Sequence, residues 1–84
     1  MKKNYVEIDL DNVQKTAILK YAGFFIMDAT TKKDLTNKRK KWVRFSPSSV
    51  SDIIGELAYH FNRTKSDNVF HLLDELICHL EEYE

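Results

Sequence analysis

Two apolar repeats at helical spacing fill the second half of this chain, and they constrain its fold more than any other feature. Val50, Ile53, Ile54, Leu57, Ala58 and Phe61 recur at i, i+3, i+4, i+7, i+8 and i+11, and Val69, Leu72, Leu73, Leu76, Ile77 and Leu80 repeat the same spacing after the turn sequence NRTKS. That period puts each set on one stripe of an α-helix. Ser49 with Asp52 three residues on resembles a capping box at the start of the first helix. Asn62 is suited to end it, and Ser66 or Asp67 to open the second. An antiparallel helical hairpin results, and its stripes need a further layer to cover them.

The first half supplies that layer. Tyr5 to Leu10 alternates, with Val6, Ile8 and Leu10 on one side and Tyr5, Glu7 and Asp9 on the other, the period of a half-buried strand. Asp11 or Asn12 can cap a short helix over Val13 to Ala22, and Gly23 can close it in the left-handed conformation. Val13, Ala17, Ile18, Tyr21 and Ala22 form its apolar stripe, with Leu19 outside it. The run FFIMDA from Phe24 to Ala29 is rich in β-formers, and Trp42 to Phe45 offers another short strand, which makes a hairpin with a long connection. The expected architecture is one α+β domain spanning residues 1–84, in the order βαββαα, with a short antiparallel sheet covered by helices and the helical hairpin last.

Size and composition narrow the function. An 84-residue chain is short for more than one core. With 43% hydrophobic residues it is too apolar for a disordered polypeptide. A single cysteine, Cys78, cannot form an internal bridge, and the lysines of MKKNYVEIDL are followed by Asn4, Glu7 and Asp9 rather than an apolar stretch. The reading is a cytoplasmic chain without an export signal. No apolar run approaches the ~20 residues that span a bilayer, so no membrane partner is expected.

Net charge is zero, yet charge is unevenly placed. Between Lys32 and Arg44 stand seven basic residues and one acid, Asp34, whereas Asp67 to Glu84 holds six acids and no Lys or Arg. Lys32, Lys33, Lys38, Arg39, Lys40, Lys41 and Arg44, with Trp42 among them, are the candidate binding residues: clustered cations neutralise phosphates and an aromatic ring can stack on a base. A hairpin would present them as a finger toward nucleic acid or an acidic protein surface. The plainer reading is a solvated connection with Trp42 in the core. A helix-turn-helix DNA reader is excluded, because its second helix would have to face phosphate and here that helix is the most acidic part of the chain. The same charge asymmetry permits head-to-tail self-association.

Catalytic patterns are incomplete. His71, Glu75 and His79 lie at i, i+4 and i+8, and the outer pair is about 12 Å apart along a helix, too far for one ion, so no metal is expected. Cys78 lies about 180° from Val69, on the outer face, but its helical neighbours Asp74 and Glu82 are acids rather than the base or positive environment that activates a thiol. The two glycines, Gly23 and Gly55, form no phosphate-cradling loop, and no nucleotide or other cofactor is implied. Tyr59 falls opposite the apolar stripe of its helix, with His60 at the stripe's edge, and an outward Tyr suits a protein interface. The sequence thus favours a small non-enzymatic regulator, adaptor or inhibitor that binds a protein partner, with a nucleic-acid-binding accessory protein using residues 32–44 as the alternative.

Overall fold

The computed structural model describes residues 5–26 and 28–83, with Phe25 by its backbone. Along the chain lie β1 (Val6–Asp9), α1 (Asn12–Ala22), a 3-10 turn (Gly23–Phe25), α2 (Ala29–Thr36), β2 (Trp42–Phe45), α3 (Pro47–Arg63) and α4 (Asp67–Glu81). The class is α+β, a two-stranded antiparallel sheet with helices that ends in a helical hairpin.

The alternation in β1 settles the register. Val6 pairs with Phe45, Glu7 with Arg44, Ile8 with Val43 and Asp9 with Trp42. Ile8, Val43 and Phe45 are therefore buried on the inner face while Glu7 and Trp42 are exposed on the outer one. Val50, Ile53 and Leu57 of α3 and Leu73, Leu76 and Leu80 of α4 join them in one core with Ile18, Ile26 and Leu35. Each such side chain contributes about 1.5–3 kcal/mol by leaving water.

Caps account for where the helices begin. Asp11 and Gln14 form a reciprocal box at α1: the Gln14 amide donates to Asp11 Oδ1 at 2.7 Å and the Asp11 amide to Gln14 Oε1 at 3.1 Å. Ser66 Oγ accepts from the Val69 amide at α4. At α3 the start falls earlier than Ser49 and Asp52 suggest. Ser46 is the N-cap and Pro47 the first helical residue, where its missing N–H costs nothing and its φ suits a helix. Its end falls at Thr64, whose amide donates to the His60 carbonyl, so Asn62 stays inside the last turn.

Three further expectations are corrected. The order is βααβαα rather than βαββαα, because the described residues of the FFIMDA segment form no strand. Gly23 to Phe25 makes a 3-10 turn, Ile26 packs into the core, Met27 lies outside the described residues, and Asp28 caps α2 by accepting from the Thr30 amide at 2.8 Å. Asp28 followed by Thr31, Asp34 and Leu35 at helical spacing overrides the β-propensity of the Phe residues, and β1 already supplies the partner that β2 needs. Gly23 has φ −57°, so α1 runs into the turn without a left-handed residue. On α1, Val13 is 62% exposed and Lys15 is buried in its stead. The Lys15 ammonium donates to the carbonyls of Asn37, at 2.8 Å, and Lys40, which is what makes a buried cation tolerable.

Candidate partner-binding surfaces

The basic segment is not a hairpin finger. Lys32 and Lys33 sit on the exposed side of α2, Lys38 and Arg39 on the turn after it, and Lys41, Trp42 and Arg44 on β2 or beside it. Its one acid organises it. Asp34, buried, accepts from Arg44 Nε at 2.9 Å, an Arg44 terminal nitrogen at 3.2 Å, the Arg44 amide at 3.1 Å and Lys40 Nζ at 3.0 Å. Burial pushes the Asp34 carboxyl up, but those bonds outweigh it and hold the group well below the usual carboxylate range. Arg44 is thereby committed to holding α2 against β2, and Lys40 to tying the connection between them back to α2. Lys32, Lys33, Lys38, Arg39 and Lys41 remain exposed without a carboxylate partner among the described residues.

Trp42 is 46% exposed, outside the core. It does not stand among cations alone: the register sets Asp9 directly across from it and Glu7 across from Arg44. The outer sheet face is mixed in charge.

A second surface lies between α1 and α4. Both helices pack on α3 and meet each other over a smaller contact, which leaves a trough of about 480 Å³ between them. Val13, Ala17 and Tyr21 from α1 and Val69 and Leu72 from α4 make its floor, with Asn12, Thr16, Lys20 and Lys38 at its edges. Tyr21 and Val69 also line a neighbouring hollow with His60, Arg63 and Thr64, so the two share a wall. Aromatic side chains cluster beyond it. Tyr59, 47% exposed as the stripe implied, carries the Arg63 guanidinium 4.4 Å above its ring, and the His60 ring lies 5.0 Å from that of Tyr21 and 5.5 Å from that of Tyr59. Phe70, 41% exposed, stacks on Phe61 at 4.3 Å. His60 also pairs with Glu56 one turn back, at 3.3 Å.

The histidines and the cysteine of α4 do not converge. His71, Asp74, Glu75 and Cys78 are exposed, whereas His79 turns toward β1, where its Nε2 donates to the Asp9 carbonyl at 2.7 Å. Tyr83 Oη donates to Asp9 Oδ1 at 3.5 Å, completing a latch between α4 and the sheet. Among the described residues no three His, Cys, Asp or Glu side chains lie close enough together to hold a metal ion, and no helix is long and apolar enough to cross a membrane.

Compared with protein-family models, with curated proteins and with solved structures, the chain matches none. The candidate surfaces therefore rest on the geometry. The α1–α4 groove is the feature missed by the sequence pattern. Val13 reads as core by its spacing, and its exposure follows from Lys15 reaching carbonyls more than twenty residues away.

Proposed function

We propose that this chain is a small non-enzymatic protein that acts by binding a protein partner at the α1–α4 groove. The observation that carries this reading is the groove's apolar lining: Val13, 62% exposed, stands in it with Ala17, Tyr21, Val69 and Leu72. A concavity lined by apolar side chains, with Val13 exposed, Tyr21, Val69 and Leu72 half-buried and aromatic rings beside it, suits a protein interface, whose buried centre is apolar and rich in Tyr and Phe. The test is affinity capture from a nuclease-treated extract of the source cells, comparing the wild-type chain with Val13→Lys. Val13 is exposed enough for that change to leave the fold intact. A protein retained by the wild type and lost from Val13→Lys is the expected result; an identical set on both baits sinks the groove.

A nucleic-acid reading keeps one specific observation in its favour, the five exposed cations of residues 32–41 without carboxylate partners among the described residues. Against it stand Asp9 opposite Trp42 and the commitment of Lys40 and Arg44 to Asp34. Titrating Trp42 fluorescence with single- and double-stranded DNA at low and physiological salt separates the two. A saturable change that weakens steeply with salt would favour phosphate contacts, and no change is the outcome expected here.

A further inference from the structure

We infer that the occupant of the α1–α4 groove is an amphipathic helix of the partner with acidic residues flanking its apolar stripe. The inference rests on the protein-binding reading and adds the chemistry of what is bound. It is carried by the charge around the groove. In a chain whose acids and bases balance, Lys20, Lys38 and Arg63 line the two neighbouring hollows, while no Asp or Glu among the described residues lines either, Glu56 standing behind His60 and paired with it. An apolar floor with a rim of one sign selects a ligand that is apolar at its centre and of the opposite sign at its edges, since like charges on the rim repel wrong partners.

Shape supports a helix. The trough runs beside α1 from Asn12 to Tyr21, about 14 Å at 1.5 Å per residue, the length of two to three helical turns. It lies between two helices that both rest on α3 and only partly fill the space between them. A third helix laid there presents side chains at i, i+3, i+4 and i+7 to Val13, Tyr21, Val69 and Leu72. A second copy of this chain fits the rim less completely. Its acidic helix, α4, has turned its Leu stripe into its own core and offers the groove mainly Asp74, Glu75 and Glu82, with Phe70 the one large apolar side chain it exposes, already stacked on Phe61.

The test uses the full chain and a displayed library of 16-residue peptides. Leu, Phe and Ile hold a fixed i, i+3, i+4, i+7 stripe, and the flanking positions vary among Glu, Lys, Gln and Ala. Wild type is expected to enrich Glu at the flanks. The best such peptide, synthesised, should bind the fold-checked triple variant Lys20→Glu/Lys38→Glu/Arg63→Glu at least tenfold more weakly, and that variant should enrich Lys instead. Peptides enriched without charge preference, lost on Val13→Lys but indifferent to rim reversal, would overturn the acidic occupant and leave protein binding at the groove standing. Peptide capture unaffected by Val13→Lys would overturn both. A concentration-dependent dimer that dissociates on Val13→Lys would assign the groove to a second copy and overturn the inference. So would binding of single-stranded DNA abolished by rim reversal with no peptide enriched.

Discussion

At the scale of single residues, two buried charges organise the first half of the chain. Asp34 is surrounded by donors from Arg44 and Lys40, and Lys15 holds the carbonyls of Asn37 and Lys40. Lys40 thus gives its ammonium to one buried charge and its carbonyl to the other. Replacing Asp34 by Ala leaves Arg44 and Lys40 without their anion, but both are about one-third exposed and can rehydrate, so the expected loss falls at or below the low end for a broken buried pair, about 2–3 kcal/mol by urea unfolding. The same network fixes a pH dependence. A carboxyl whose folded pKa is depressed contributes fully above its unfolded value and loses that contribution as pH falls through the folded one. The stability gap between wild type and Asp34→Asn should therefore be open at pH 7 and narrow progressively below about pH 5. A gap of constant width from pH 7 to pH 3 would contradict the assignment.

Elements were legible where one period ran long enough. The stripes of α3 and α4 continue for three turns, and their buried residues Val50, Ile53, Leu57, Leu73, Leu76 and Leu80 are those the spacing picks out. β1 was legible for the same reason, from Ile8 and Leu10. α2 was not, because its eight residues bury only Thr31, Asp34 and Leu35, two of them polar, and their place inside depends on β2: Thr31 Oγ1 donates to the Arg44 carbonyl at 2.6 Å. Partners supplied from elsewhere in the chain leave no period in the segment itself. The same holds for the candidate site, where spacing alone puts Tyr59 outward, as it is, but puts Val13 in the core, where it is not. Within α3, Gly55 faces solvent, and a Cβ built on it meets nothing within 4 Å. Gly55→Ala is accordingly expected to stabilise the protein by about 0.5–1 kcal/mol through helix propensity alone, raising the urea midpoint without changing the slope. A destabilised variant would mean that the exposed face of α3 has a requirement for close approach.

Across the whole molecule, the sheet and the last helix join segments far apart in the chain. β1 pairs with β2 and is then latched by His79, 70 residues from Asp9. α3 and α4, by contrast, meet across a three-residue connection at 64–66. Closing a long loop is entropically unfavourable until its contacts form, so the helical hairpin is expected to assemble first and the β1 latch last. His79→Ala should then accelerate unfolding by about fivefold, for a loss of ~1 kcal/mol, and leave the folding rate nearly unchanged. A slowed folding arm in stopped-flow measurements would place the latch in the nucleus instead. During synthesis the same topology becomes a matter of time. At roughly 5–20 residues per second, β1 leaves the ribosome some seconds before β2, and His79 follows later still. Until then its edge is open to any neighbouring strand. Glu7 and Asp9, standing between Val6, Ile8 and Leu10, put two negative charges on that waiting segment, where they act as gatekeepers against pairing with another nascent copy.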